Sequence, residues 1–199
     1  MSKPYLIAIT GNFGSGKSLV GNVLAKRGIS VIDTDNIVAD ILSEKNKVTK
    51  NIVKLFGDSV SGKTKQSFIN KGNLAKIVFN SKKKLKLLES LIHPEVRKRI
   101  SEYIQKHKNQ NIIAVLIPLL FEAKMEKQYH EVWCVICSKV EQYKRLIKKG
   151  FTLEEIKKRL NMQMDQNLKA KKADYVIDNS GSVNSTRKQA LKRLKLLVQ

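Results

Sequence analysis

Apolar residues follow two rhythms along this chain. At residues 5–9, 30–32, 112–117, 132–136 and 175–177 they form short, almost unbroken runs rich in β-branched side chains. Runs without polar alternation suit strands covered on both faces, as in a parallel sheet. Between these runs the apolar positions recur every three or four residues, the spacing of a helix with one buried stripe. Leu19, Val20, Val23 and Leu24 form one such set, with Gly28 to stop it. Ile52, Val53, Leu55 and Phe56 form another, and Leu85, Leu88, Leu91 and Ile92 a third. Strands alternating with helices predict an α/β fold, a five-stranded parallel sheet with helices on both faces.

The spacing of the strands is uneven. Residues 33–111 separate the second from the third, far more than a simple crossover needs. The pattern predicts a helical substrate-binding insert over residues 41–110, with Ser81 as a helix N-cap and Pro94 in the first turn of a further helix. Residues 139–170, between the fourth and fifth strands, are basic, polar and helix-patterned, with Gly150 dividing them, and suit a mobile lid. The core is then residues 1–40, 111–138 and 171–199 of one domain. The lysine run Lys82–Lys84 reads as a solvated helix face.

Two stretches match the phosphate-binding pattern of glycine, four residues, glycine, lysine and a hydroxyl residue: "GNFGSGKS" at 11–18 and "GDSVSGKT" at 57–64. Such a loop works because a strand leads in and a helix leads out, so that backbone N–H groups and the positive end of the helix dipole meet the phosphates. Residues 11–18 have both: "PYLIAIT" before and "LVGNVLAKRG" after. Residues 57–64 follow an amphipathic helix pattern and precede "KQSFINKGN", which has no apolar stripe for a first turn. They read as a loop or hairpin, so Lys17 is the phosphate lysine and Lys63 is not.

Charge changes the picture less than its size suggests. The formal net charge is +22, from 39 basic and 17 acidic side chains, but only seven of the 39 are arginine and the lysines are scattered. Scattered lysine fits biased codon usage better than a nucleic-acid footprint, which favours arginine and stacked aromatics on one face. Cys134 and Cys137 are spaced like a metal or redox pair, but a strand over "EVWCVIC" would send them to opposite faces, and no second pair completes a tetrahedral site. They read as core residues beside Trp133. No apolar run is long enough to span a bilayer and no signal peptide is recognisable, which predicts a cytoplasmic protein without membrane or nucleic-acid partners.

In parallel sheets ligands gather at the carboxyl ends of the strands. That rule selects Gly11–Ser18 after the first strand, Asp33 after the second, and residues 118–122 after the third. An acceptor hydroxyl beside Asp33 could lose its proton to the carboxylate as it attacks a γ-phosphate. Asp33 could also simply cap the following helix, as Asp35 could. Position and chemistry together favour the base.

The succession "ITGNFGSGKS", "GISVIDTDNIVADIL", "LIHPEVR", "IPLLFE", "RLIKKG", "RLNMQ" and "ADYVIDNSG" resembles the dephospho-CoA kinase family over nearly the whole chain. The combination of "IDTD", "IHPEVR", "PLLFE" and "ADYVIDNSG" is far more specific than the loop. The resemblance implies a fold of the P-loop kinase type and transfer of the γ-phosphate of ATP to the 3′-hydroxyl of dephospho-CoA, the last step of coenzyme A biosynthesis, with Mg²⁺. Carried over by position, it implies Asp33 as base, with Lys17 and Arg145 as its catalytic partners. It implies an ATP site of Gly11, Asn12, Phe13, Gly14, Ser15, Gly16, Lys17, Ser18 and Leu19, completed by Arg145 and Arg159 from the lid. Ser18 would hold the Mg²⁺, and Asp33, Asp35, His93 and Arg97 the acceptor substrate, with Asp35 ordering either its ribose or the metal shell. Leu19 stands where the family usually has threonine, and Lys149 where a second lid arginine is expected. The family also accounts for residues 57–64, as a turn of the substrate region without a phosphate role. A monomer or weak homo-oligomer is expected. A nucleoside monophosphate or sugar-acid kinase has no natural place for "LIHPEVR" and "PLLFE". A basic nucleotide-switched protein on RNA or DNA would want clustered arginines or aromatics, and aromatics are only 6% of the chain.

Overall fold

The structure, a computed structural model, describes residues 3–64 and 67–197. By its internal contacts the chain divides into two compact units, Met1–Asp33 with Ile104–Gln199, and Thr34–Tyr103.

The first unit is built on a five-stranded sheet of β1 (Tyr5–Thr10), β2 (Ser30–Asp33), β5 (Ile112–Leu116), β6 (Glu131–Ile136) and β7 (Tyr175–Asp178). All pairs are parallel and the order is β2-β5-β1-β6-β7. Each expected strand is present, with ends shifted by a residue or so. From β1 the chain moves first to one side of the sheet and later, at β6, to the other. The carboxyl end of β1 is therefore the topological switch point, where parallel sheets of this kind bind ligands.

Alternate residues of the strands, Ile7, Ile9, Ala114, Leu116, Trp133, Val135 and Ile177, form one buried cluster with Val20 and Leu24 of α1 (Lys17–Ala25) and Ala190 and Leu194 of α9 (Val183–Leu197). The intervening residues Ala8, Ile113, Val115, Val132 and Cys134 are buried as well, so the opposite face is also covered. This is why the three central strands, β1, β5 and β6, read as unbroken apolar runs, whereas the edge strands β2 and β7 are only partly buried. Three further helices, α6 (Lys139–Lys148), α7 (Leu153–Asn161) and α8 (Gln166–Lys172), fill the interval between β6 and β7, and Gly150 separates α6 from α7 at φ 88°. Cys134 lies in β6, while Cys137 falls just beyond the strand. Both are free and buried, and burial pushes the Cys134 thiol up to about 11.

The second unit contains α2 (Thr34–Ser43), α3 (Lys47–Phe56), the hairpin of β3 (Ser61–Thr64) and β4 (Ser67–Ile69), α4 (Lys71–Val78) and most of α5 (Lys82–Lys106). Residues 57–64 carry no phosphate loop geometry. Gly57 ends α3, one 3₁₀ turn follows at Asp58–Val60, and Lys63 belongs to a strand paired antiparallel with β4. Lys65 and Gln66, which follow that strand in sequence, lie outside the described residues.

One expectation is corrected here. Pro94 does not begin a new helix; it sits inside α5, a single helix of 25 residues. Proline lacks the N–H that would bond to the Ser90 carbonyl, which normally costs a helix interior about 3 kcal/mol. The helix continues because Leu88, Ile92, Val96 and Ile100 keep one buried stripe in phase on both sides of Pro94. Ser81 does cap its start, accepting from the Lys84 N–H at 3.4 Å.

Candidate active site

The loop from Gly11 to Gly16 joins β1 to α1 and turns on three glycines of positive φ, Gly11, Gly14 and Gly16. Two of these must be glycine because of what surrounds them. A Cβ on Gly11 would run into the carbonyl oxygen of Val135, and one on Gly16 into the side-chain amide of Asn179. Gly16 is the N-cap of α1, no side chain caps that helix, and its first turn holds no acid. The helix start thus offers backbone N–H groups and a positive dipole end to an anion. Lys17 is its first residue, and its Nζ donates to the Gly11 carbonyl at 3.0 Å, across the mouth of the loop. Ser18 is exposed beside it and Leu19 half-buried.

Side chains from three later segments fasten the loop. The buried Asn179, just past β7, donates to Ser15 O at 2.7 Å and accepts from the Thr186 hydroxyl at 2.8 Å. Gln142 of α6 donates to Phe13 O at 2.7 Å. Gln163, after α7, accepts from the Phe13 N–H at 2.8 Å, and Asn12 donates to Met164 O at 3.1 Å. Residues 139–170 are thus bound to the loop at several points.

The two expected lid cations are both at the loop. Arg145 donates to Asn179 O at 2.8 Å and approaches the Cys137 sulfur at 3.5 Å, with its Nε 3.8 Å from Glu141 Oε2. Its guanidinium passes within 3.8 Å of where a Gly16 Cβ would stand. Arg159 lies over two aromatic rings, 4.9 Å from the centroid of Phe13 and 4.8 Å from that of Phe151, and those rings meet edge to face at 5.0 Å. Both contacts are of the cation–π kind. Lys149, the position of the second expected arginine, is exposed at the end of α6.

Asp33 ends β2 and immediately precedes α2, so the positions of strand-end base and helix cap coincide. In register it lies opposite Leu116, which in turn lies opposite Ile9 of β1. Two strand spacings place its backbone about 10 Å across the sheet from β1, level with the start of the phosphate loop. Asp35 is exposed in the first turn of α2. His93 and Arg97 lie one helical turn apart on α5 of the second unit, on one face of that helix. Burial, and then the Arg97 charge, lower the His93 pKa and so favour the neutral ring.

Among the described residues no group of three or more His, Cys, Asp or Glu side chains could hold a metal ion. Asn179, Gln142, Gln163, Met164 and Phe151 also meet at the loop, and none of them is marked as a site residue by the sequence patterns. The rule that picked Asp33 from the end of its strand would equally have picked Asn179, which follows β7. For Gln142 and Gln163, inside polar helical stretches, the sequence carries no such signal.

The dephospho-CoA kinase family model matches residues 5–185. The dephospho-CoA kinase of Carboxydothermus hydrogenoformans is 41% identical over 94% of this chain and 91% of its own length. That of Synechococcus sp. strain CC9605 is 34% identical over 96% of this chain and 92% of its own. Among solved structures, one from Thermus thermophilus superposes with a TM-score of 0.85 at 32% identity over the whole of both chains. The dephospho-CoA kinase from Campylobacter jejuni gives 0.67 at 30% identity, covering 96% of this chain and 95% of that one. A shikimate kinase from Acinetobacter baumannii, at 16% identity and a TM-score of 0.54, shares the fold.

Proposed function

This chain belongs to the dephospho-CoA kinase family, and on that premise we propose how its residues divide the work of moving the γ-phosphate of ATP to the 3′-hydroxyl of dephospho-CoA. The observation that carries the assignment is the phosphate loop at the switch point of the sheet, with Asp33 level with it two strands away.

Backbone N–H groups of Gly11, Asn12, Phe13, Gly14, Ser15 and Gly16 and the start of α1 at Lys17, Ser18 and Leu19 receive the triphosphate. Lys17 exchanges its bond to Gly11 O for the β- and γ-phosphates. Phosphoryl transfer asks a protein mainly for positioning and charge, so Arg145 and Arg159 neutralise the oxygens of the moving group. Asp33 accepts the proton that the attacking hydroxyl sheds. Asp35, His93 and Arg97 contribute to holding the acceptor, with His93 as a neutral hydrogen-bonding group and Arg97 as the cation for a phosphate. Lys149 adds only a point charge where a planar fork would have added two bonds.

Mg²⁺ fits this residue set in one specific way. The ion keeps several waters and takes one or two protein ligands together with substrate phosphates, so it needs no cluster of carboxylates. The exposed Ser18 hydroxyl at the head of α1 would hold it, and the ion would supply charge neutralisation between the β- and γ-phosphates. We place the enzyme in the cytoplasm as a monomer or weak homo-oligomer, acting on small molecules and on neither nucleic acid nor membranes. Two buried free thiols suit a reducing compartment, and no described helix is long and apolar enough to cross a membrane. Core, insert and lid would be residues 1–40, 111–138 and 171–199, residues 41–110, and residues 139–170.

The test is direct: incubate the protein with ATP, Mg²⁺ and dephospho-CoA and follow coenzyme A by chromatography. CoA formed in step with ADP is expected. A folded protein that makes none, or that phosphorylates shikimate instead, would overturn the reading.

A further inference from the structure

Lys169 of α8 is a fully buried lysine, 0% exposed, and no step above uses it. Its Nζ donates to Pro118 O at 2.7 Å and pairs with Glu122 Oε1 at 2.8 Å. Both partners connect back to the phosphate loop. Pro118 O also accepts from the hydroxyl of Thr10, the residue before Gly11, at 3.3 Å. Glu122 Oε1 also accepts the Met164 N–H at 2.7 Å, and Met164 O accepts from Asn12 of the loop at 3.1 Å. The contacts close a circuit running from Thr10 and Asn12 through Met164, Glu122, Lys169 and Pro118 and back to Thr10.

The charge itself reaches the floor of the site. Cys134 lies opposite Thr10 in the sheet register, and among the charges that oppose the rise of its thiol pKa, Lys169 stands ahead of Lys17. Stability alone is a poor reason for this arrangement. Removing an ammonium and a carboxylate from water carries a large desolvation penalty, and apolar side chains of the same shape often replace such pairs without loss. What the pair does hold is the segment that follows α7. Gln163 and Met164 are gripped by the loop on one side and by Glu122 on the other, four and five residues after Arg159, whose guanidinium stands over Phe13.

We propose that Lys169 is a positioning residue for phosphoryl transfer: with Glu122 it locks the Gln163–Met164 segment onto the phosphate loop, so that Arg159 and the loop stay in register. The inference rests on the assignment of the chain as a dephospho-CoA kinase. Transfer is sensitive to misplacement of about 1 Å from a distant change, whereas ground-state nucleotide binding, spread over many backbone N–H groups, is not.

The experiment compares the parent protein with Lys169→Met, Glu122→Gln and the double variant. Lys169→Met alone leaves a largely buried carboxylate without its cation and is expected to lose stability. The double variant removes both charges and keeps their shapes. In it the amide oxygen introduced by Glu122→Gln can still accept from Met164, so its melting temperature should return to within a few degrees of the parent's. Its kcat for CoA formation should nevertheless stay roughly ten- to a hundredfold down, with the Kd for ATP, measured by calorimetry, changed by less than about threefold. Parental turnover in a folded double variant would make the pair structural and overturn the inference. So would a loss of ATP affinity large enough to account for the whole loss of kcat/KM. If the double variant does not fold, Glu122→Gln carries the same expectation with a smaller, several-fold fall in kcat, and parental turnover there overturns it too. A parent that forms no CoA would overturn the kinase assignment instead, a result distinct from variants that match an active parent.

Discussion

Replacing Gly16 by alanine should damage the enzyme through one side chain, Asn179, and the damage can be sized from the structure. Gly16 has φ 102° and ψ 25°, in the left-handed region, where an alanine is strained by about 1–2 kcal/mol. Its Cβ would overlap the Asn179 amide nitrogen and come within 3.1 Å of the amide carbon. Asn179 is 2% exposed and tied to Ser15 O and Thr186, so it cannot swing into water. Displacing it breaks the bond to Ser15 and leaves buried groups unpaired, a further penalty of about 1–3 kcal/mol. The sum, about 2–5 kcal/mol, corresponds to a fall in melting temperature of roughly 10 °C for a chain of this size. The assay is thermal melting of Gly16→Ala, Asn179→Ala and the double variant, with ATP binding measured on each. Asn179→Ala makes room for the Cβ, so the double variant should be less destabilised than the sum of the singles, by about 1–2 kcal/mol. Strict additivity would show that the two side chains do not collide. A Gly16→Ala protein melting within about 2 °C of the parent would refute the whole estimate.

Three other outcomes are expected. Asp33→Asn should keep affinity for dephospho-CoA while kcat falls by roughly two to four orders of magnitude, because asparagine can hold a hydroxyl but cannot accept its proton. Near-parental turnover would leave Asp33 as a helix cap, a task asparagine performs equally well. Lys17→Ala should abolish transfer and Lys63→Ala should leave it almost intact; equal losses in CoA formation would contradict the argument from loop context. Stability should also depend on His93. Its folded pKa lies below the ordinary value, so the unfolded chain takes up the proton first as pH falls through about 6.5. The stabilisation is therefore present above that pH and lost below it, as the pH drops towards the folded pKa. The melting temperature of His93→Gln should fall less than the parent's between about pH 7.5 and 5, and parallel curves would rule the effect out.

The frame of the fold was legible because both faces of its sheet are covered. Burial on two sides demands unbroken apolar runs, which marks the three central strands most clearly, and the choice between the two candidate loops follows from what flanks each. Pro94 was misjudged because a local rule about proline met a longer-range fact, a buried stripe that holds α5 in phase across it. The fastening of the phosphate loop was hidden for a different reason. Gln142, Gln163 and Asn179 act at separations of 129, 150 and 164 residues from their partners, and a single polar residue in a helical or turn segment carries no mark of a contact so distant. Lys169 was concealed most completely, since in a chain with 39 basic residues its letter is indistinguishable from those of exposed lysines.

The two ends of the sheet treat their polar groups in opposite ways, and the contrast bears on where the chemistry lies. At the amino end the buried Glu131 is fully engaged: Oε1 accepts from Trp133 and Arg193, each at 2.6 Å, and Oε2 from Tyr5 at 3.3 Å. His130 accepts the Leu6 N–H at 2.9 Å through Nδ1 while stacking on Tyr5, so even an exposed ring there extends the ladder. Four side-chain polar atoms are buried without a hydrogen-bond partner among the described residues: Asn12 Oδ1, Ser15 Oγ and Glu122 Oε2 beyond the carboxyl ends of the strands, and Glu126 Oε2 in the 3₁₀ turn that precedes β6. A fold gains nothing from an unsatisfied buried acceptor, and each costs about 1–3 kcal/mol. Two of the four belong to the phosphate loop, and a third to the carboxylate that pairs with Lys169. Loop glycines of positive φ, a lysine folded onto its own backbone and unpartnered polar atoms thus coincide at one end of one strand. That is the pattern expected where polar groups are arranged for a substrate as well as for the fold.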